Sequence, residues 1–372
     1  MADYVWTAFK ESADGLTLTE LDNIQNVTFA LGRQQIQDPF KAGTATITGR
    51  VPSGLPTLEI DDKVHIRVTD GTFDDIIYFG KVANFSIDYG FTTNLDRWVL
   101  NLEDGIAKAG RALTSDSFSW SAGIRTDVAA SQACTNCGIT LVNIFTTLSY
   151  TSQGQSFVSA QTLANTNLLN ILNELAFTEQ GRITQNGYDQ IGWVNRSDLG
   201  QTSFVCSITD GSLTANYDVV PFDSVQFTSL ADSFFDAVVV EPVGLASQLS
   251  GTGDRVFSHR SFDQTTTQAD NLADYVKATL DVQTAKPFQV SMVSNVQTTD
   301  GLLLALQLFS YYNKAELILR GSRYNVFLNG VTVTADPDRT RVSFSVVSSD
   351  AQNFFILDST TFGVLDTNKL GF

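Results

Sequence analysis

The sequence predicts a mainly β fold with an α+β insertion: two small antiparallel β-barrels related by a pseudo-repeat, with a mixed helical domain between them. Three observations predict it. Apolar residues recur with period two, in short runs separated by turn signals, both early and late in the chain. Between those regions the apolar spacing changes to the helical i, i+3, i+4, i+7. The late runs also repeat the order of the early ones.

In the first β region (1–112), Val27, Phe29 and Leu31 alternate with Thr28 and Ala30. The stretch "QQIQDPFKAGTATITGR" follows. Asp38-Pro39 bends the chain, since proline fixes φ and lacks an N–H. After it, Ala45, Ile47 and Gly49 form a thin apolar face, and Thr44, Thr46, Thr48 and Arg50 form a polar one. Val64, Ile66 and Val68 alternate with Lys63, His65 and Arg67. Phe85, Ile87 and Tyr89 alternate with Ser86 and Asp88, and Trp98, Leu100 and Leu102 with Arg97, Val99 and Asn101. One apolar face per strand means half-buried antiparallel strands, and their spacing suits a barrel or sandwich.

The middle region (113–215) is mixed. "RTDVAASQACTNCG" predicts a short helix capped by Asp127, with Ala130, Ala133, Cys134 and Cys137 on its apolar face and Gly138 ending it. "NTNLLNILNELAFTEQG" predicts a second helix with Leu168, Ile171, Leu172 and Leu175 on one side, ended by Gly181. Two short strands follow. In the last β region (216–350) one helix, at about 265–284, interrupts the strands. Ala269, Leu272, Tyr275, Val276 and Leu280 lie on one side of it. The remaining 351–372 forms a tail.

The two β regions match in order. "DKVHIRV…IIYFGKVANFSID…LDRWVLNLED" parallels "NKAELIL…SRYNVFLNGVTVTADP…DRTRVSFSVVSSD", with Trp98, Leu100 and Leu102 in phase with Val342, Phe344 and Val346. Two small barrels of common ancestry account for this.

Composition limits the function. The 372 residues carry a net charge of −17, with 43% hydrophobic and 17% charged residues. No basic cluster is present, which argues against electrostatic attachment to nucleic acid. The start is acidic and lacks an apolar core, so no secretory signal is expected. The longest apolar stretch, "GLLLALQLF" at 301–309, is too short to span a bilayer. Three cysteines make no disulfide framework.

A search for chemistry finds none. "CTNC" at 134–137 lacks a second ligand pair for zinc and the βαβ context of a redox site, and both cysteines lie on an apolar helix face. His65 is expected at the surface and His259 in a loop; no nucleophilic triad is legible. "GTGDR" at 251–255 lacks the P-loop lysine. The acidic turns "DDIIYFG" and "ADPDRTR" do not fit the spacing of an EF-hand. The 40 acidic residues make any carboxylate pair unspecific. No catalytic, cofactor or metal-binding residue is therefore expected, and a structural or binding role is favoured.

The order of parts resembles the baseplate-hub, or tail-tip hub, proteins of tailed bacteriophages. "VTFALGRQQIQDPFKAGTATITGR" and "IIYFGKVANFSID" resemble the first tube-like barrel of that family. "LLNILNELAFTEQGRI" and "GWVNRSDLG" resemble the domain between the barrels. "FFDAVVVEPVG" resembles the opening of the second barrel, and "FFILDSTTFGVLDTNKLGF" the tail of many phage minor tail proteins. The resemblance implies a non-enzymatic homotrimer whose six barrels form a pseudo-hexameric ring. The tail tube or distal tail protein would lie above it, with a spike, tip or fibre below. DNA would pass through without specific binding, for which negative charge is suited. The implied location is the virion, after assembly in the bacterial host cytoplasm, with no stable membrane insertion. Candidate subunit-interface residues are Asp38, Phe40, Thr46, Arg50 and Phe372. Two alternatives remain: a distal tail protein with one barrel per chain, and a β-rich carbohydrate-binding or glycan-hydrolysing protein using Trp6, Trp98, Trp120 or Trp193.

Overall fold

A computed structural model describes residues 4–33, 38–50, 57–69, 74–90, 96–143, 154–196, 199, 204–228, 235–280, 286–293 and 314–348. The first β region supplies β1 (Val5–Glu11), β2 (Leu18–Glu20), β3 (Ile24–Gly32), β4 (Thr44–Arg50), β5 (Lys63–Thr69), β6 (Asp74–Asp88) and β7 (Arg97–Glu103). The middle contains α1 (Gly105–Arg111), β8 (Ser119–Trp120), β9 (Ile124–Arg125), α2 (Thr126–Asn136), β10 (Thr140–Asn143), β11 (Phe157–Val158), β12 (Gln161–Thr162), α3 (Leu168–Glu179), β13 (Arg182–Gln185) and β14 (Gln190–Val194). The rest supplies β15 (Phe204–Thr209), β16 (Asp218–Val220), β17 (Ser224–Thr228), β18 (Ala237–Pro242), β19 (Gln248–Gly251), β20 (Val256–Ser261), α4 (Thr266–Leu280), β21 (Lys286–Val293), β22 (Lys314–Leu319), β23 (Ser322–Asp336) and β24 (Arg339–Ser348).

The pseudo-repeat predicted from sequence is present in the strand order. In the first unit the hydrogen-bonded order is β5-β6-β7-β4-β3; in the second it is β22-β23-β24-β21-β17. Each centres on a 15-residue strand, β6 or β23. Each central strand carries a bulge, between Val82 and Asn84 in β6 and between Leu328 and Gly330 in β23. A bulge bends a strand and lets it serve two sheets. The N-terminal half of β6 pairs with β5, and that of β23 with β22. Aligning the bulges places Trp98, Leu100 and Leu102 opposite Ile87, Phe85 and Val82, just as Val342, Phe344 and Val346 stand opposite Val333, Val331 and Leu328. All six of the strand residues that sequence placed in phase are buried.

The two units are joined edge to edge. The C-terminal half of β23 pairs antiparallel with β3, from Gly330 opposite Gly32 to Ala335 opposite Val27. A side chain at Gly330 would come within 2.6 Å of the Arg33 carbonyl, so glycine permits this close approach. Eight strands therefore form one sheet in the order β17-β21-β24-β23-β3-β4-β7-β6, half from each unit. Its inner face, with the branches through β5 and β22, encloses one hydrophobic core that includes Phe29, Ile47, Trp98, Leu100, Val333 and Phe344.

The helical domain forms a second core. Leu168, Ile171, Leu172 and Leu175 are buried on α3 as their spacing predicts. Asn167 caps the helix by accepting the Asn170 N–H, and Gln180 ends it in the left-handed conformation at φ 55°. α2 begins at Thr126; Asp127 lies within its first turn and its carboxylate holds Arg125 at 3.1 Å rather than capping the helix. Thr265 and Gln268 form a capping box for α4. The expected boundary at 215/216 shifts in two ways. β15 already pairs with β22 of the second unit, and 235–280 forms its own sheet, β19-β18-β20, covered by α4. That piece joins the helical domain through Phe262 and through the Phe177–Phe257 contact.

Candidate functional site

Alternation fixes what the eight-strand sheet shows on the face away from its core. Pairing registers align Ser224, Ser291, Ser343, Thr332, Ala30 and Thr44 in one row across both units. A second row runs Arg341, Thr334, Thr28, Thr46, Asn101 and Asn84. These residues are exposed or half-buried, while most of their neighbours in sequence, such as Val27, Phe29, Ala45, Ile47, Val331, Val333, Val342 and Phe344, are in the core. Side chains bridge the strands: Thr46 Oγ1 donates to Asn101 Oδ1 at 2.9 Å, and Ser291 and Ser343 lie 3.1 Å apart. The result is a wide surface of hydroxyls and amides. Its charges are mixed, with Arg50, Arg97 and Arg341 on the same face as Asp88 and Glu103. The net charge of −17 is not concentrated here.

The predicted interface residues divide. Thr46 and Arg50 lie on this face, half-buried and exposed respectively. Asp38 is half-buried, and its carbonyl accepts a hydrogen bond from Arg33 at 3.2 Å. Phe40, expected to meet another subunit, is instead buried inside its own chain at 3% exposure. Its ring enters the helical core, its backbone is clamped by Asn173 through N–H···Oδ1 of 2.8 Å, and the Arg33 guanidinium stacks on it at 4.2 Å. After the Asp38-Pro39 turn, Phe40 packs into the core that α3 helps to form. Phe372, the tail 351–372 and the stretch 301–309 lie outside the described residues.

His65 is a second correction. It is buried rather than exposed. The β13–β14 hairpin of the helical domain covers the polar face of β5, placing Tyr188 Oη 2.9 Å from His65 Nδ1, and Phe9 stacks on the ring. Desolvation, then the nearby Arg67, holds the imidazole below its usual pKa. His259 is in strand β20 and stacks on Phe177 at 3.8 Å. Arg182 further ties the helical domain to the second unit by donating to the Leu328 carbonyl at 3.2 Å. Cys134 is buried at α2 and its thiol is pushed up to about 12, far from a reactive thiolate. Trp98, Trp120 and Trp193 are buried and provide no sugar platform. A cleft of about 570 Å³ between the first unit and the helical domain holds Lys81, Glu103, Arg111 and Asp189, whose charges pair with one another. Among the described residues no group of His, Cys, Asp or Glu could hold a metal ion, and no helix is long and apolar enough to cross a membrane.

Sequence reasoning singled out the threonine face of β4 but missed its continuation over β21, β23 and β24. The signal was there: "VTVTAD" and "RVSFSVV" alternate small polar and apolar residues as "TATITGR" does.

No protein-family model matches the chain, nor does any curated protein sequence. Solved structures do. The 43 kDa tail protein of prophage MuSo2 from Shewanella oneidensis superposes with a TM-score of 0.60 at 9% identity, over 94% of this chain and 98% of that one. A tail protein from Neisseria meningitidis MC58 gives 0.61 at 12%, over 93% and 96%. Prophage tail protein gp18 from Listeria monocytogenes EGD-e gives 0.52 at 10%, over 91% and 94%. The chain thus shares the fold of phage tail proteins over almost its whole length.

Proposed function

We propose that this protein is a structural, non-enzymatic hub of a bacteriophage tail, a homotrimer that joins the six-fold tail tube or distal tail protein to a three-fold spike, tip or fibre. The observation that carries this reading is the duplicated unit. Two sheets of the same strand order stand side by side in one continuous eight-strand sheet. Three such chains offer six similar surfaces to a six-fold partner while keeping three-fold symmetry for the other side. A distal tail ring with one barrel per chain does not need the second unit. The shared fold with phage tail proteins supports the same setting, the virion tail.

The sheet's outer face supplies the second part of the proposal, a wall of the DNA conduit. Duplex DNA is held by clustered cations. A wall of Thr, Ser, Asn and Gln with dispersed charges of both signs offers no such grip, so DNA can slide. The test is stoichiometry in the assembled tail: symmetry-resolved imaging should find three copies of this chain beneath a six-fold ring, with the Thr46 and Thr332 face towards the channel. Six copies, or that face turned outward, would overturn the reading.

A further inference from the structure

The helical domain grips the two β units in several places. Two of these grips use a backbone group and a side chain that does not titrate near neutrality: Asn173 clamps the Phe40 backbone, and Arg182 donates to the Leu328 carbonyl. The tip of the β13–β14 hairpin is held differently. Tyr188 Oη meets His65 Nδ1 of the first unit at 2.9 Å. The Tyr188 ring stands edge-on to Phe79, with centroids 5.3 Å apart, and Lys63 lies 5.4 Å over it. Asp189 pairs with Lys81 at 2.7 Å. Beneath this tip, His65 is 2% exposed, between the rings of Phe9 and Phe79. Its other ring nitrogen, Nε2, is buried with no hydrogen-bond partner. A neutral imidazole carries only one N–H, so it can leave Nε2 as a bare lone pair. An imidazolium carries two, and would bury a charged donor without an acceptor, which costs far more.

We propose that the tip of the β13–β14 hairpin is an acid-released clasp on the first unit, triggered by protonation of His65. The surroundings leave an imidazolium uncompensated. On β5, Lys63 and Arg67 flank His65; β1 brings Glu11; β6 sets Phe79 opposite His65 and Lys81 opposite Lys63; the hairpin brings Tyr188 and Asp189. Every carboxylate in this set is already taken: Glu11 by Lys63, Asp189 by Lys81, and Asp74 of β6 by Arg67. Burial and the nearby Glu11 carboxylate raise the Tyr188 phenol, so it stays neutral and offers no counter-charge. Desolvation, then Arg67, hold His65 below its usual pKa while the clasp is closed. Once Tyr188 lifts away, the ring meets water and takes up its proton near the ordinary value of about 6.5. The closed clasp is therefore favoured above about pH 6.5, and below it opening gains up to tenfold per pH unit until the closed ring itself titrates. Asp104 works in the opposite sense. It precedes Gly105, where a side chain would come within 2.7 Å of the Gln190 carbonyl, and its raised pKa favours the folded form in acid. Release bares Phe79 and the side of the 570 Å³ cleft that Tyr188 and Asp189 line. The base of the hairpin stays in its sheet, since β14 pairs with both β10 and β13.

Chymotrypsin provides the test, because it cuts after Tyr188 only when that ring leaves His65 for the protease pocket. The cleavage rate in the full chain is divided by that of the free peptide TQNGYDQIG at the same pH, which removes the protease's own pH dependence. Between about pH 8 and pH 5.5 this ratio should rise roughly five- to tenfold. In His65→Gln, which is uncharged throughout, it should stay flat. A second readout follows His65 itself by the proton NMR signals of the two imidazoles, assigned with His259→Asn. The His65 midpoint should lie below about 6.5 in the parent and move up towards it in Tyr188→Ala, where the tip no longer covers the ring. A purely structural contact would not move that midpoint. A ratio that does not rise in the parent, a rise that persists in His65→Gln, or a His65 midpoint unchanged by Tyr188→Ala would each overturn the clasp. If His65→Gln fails to fold by circular dichroism, the Tyr188→Ala titration decides alone.

Discussion

Gly49 lies opposite Trp98 in the β4–β7 pair, and the indole occupies the space a side chain would need. A methyl at Gly49 would fall on Cε2 and Cζ2 of the ring and within 2.6 Å of Nε1. Trp98 is fully buried, and its Nε1 donates to the Arg50 carbonyl at 3.2 Å, so the ring has little room to give. Overpacking of this kind costs about 1–3 kcal/mol. Replacing glycine in extended backbone recovers about 0.4–1 kcal/mol of chain entropy. Gly49→Ala should therefore destabilise by about 1–2 kcal/mol, a factor of roughly 5–30 in the folding equilibrium. Urea unfolding followed by tryptophan emission and circular dichroism measures it. Trp98→Leu removes the clashing ring, and in that background Gly49→Ala should cost nothing or stabilise, so the double-mutant cycle shows coupling of about 1 kcal/mol or more. Equal costs in both backgrounds, or no cost in the parent, would refute the account of why glycine stands opposite Trp98 in this strand.

Three further outcomes follow from the geometry. Phe40→Ala should weaken the monomer by about 3–5 kcal/mol in the same urea assay, because the ring fills its own chain's core; a loss confined to assembly would mean the ring faces a neighbour. Asp104, buried at the start of α1, has its carboxyl raised to about 7, chiefly by desolvation. The folded state thus holds its proton where the unfolded state, at about 3.9, has lost it, so the stability tied to this group is present at low pH and is lost as pH rises from about 4 to 7. Asp104→Asn should flatten that part of the urea-midpoint profile and be the more stable form above pH 7. Ellman's reagent at pH 8 should modify Cys137 first, since Cys134 and Cys206 are buried with thiols pushed up to about 12, and all three only after denaturation.

Local pattern carried much of the fold. Ala45, Ile47 and Gly49 are the buried face of β4, and the leucine stripe of α3 is the helical core, because in both cases one element's periodicity decides which side is covered. The phase match of Trp98 with Val342 was legible because both strands keep the same place in a repeated unit. What failed depended on a second element. His65 sits on the polar side of its strand, and nothing in that alternation shows that Tyr188, 123 positions away, covers it. Phe40 after a proline turn reads equally as core or contact until α3 is placed. The β23–β3 junction leaves only Gly330 and Gly32 as local traces.

That junction also sets a condition on synthesis. Ala335 follows its partner Val27 by 308 positions. At roughly 5–20 residues per second, a ribosome needs about 15–60 s to supply the strand that covers β3. Through that interval the first unit stands on the ribosome with a long bare edge, and neighbouring chains on the same message carry the same edge. Partition between completing its own sheet and joining a neighbour's then depends on elongation speed.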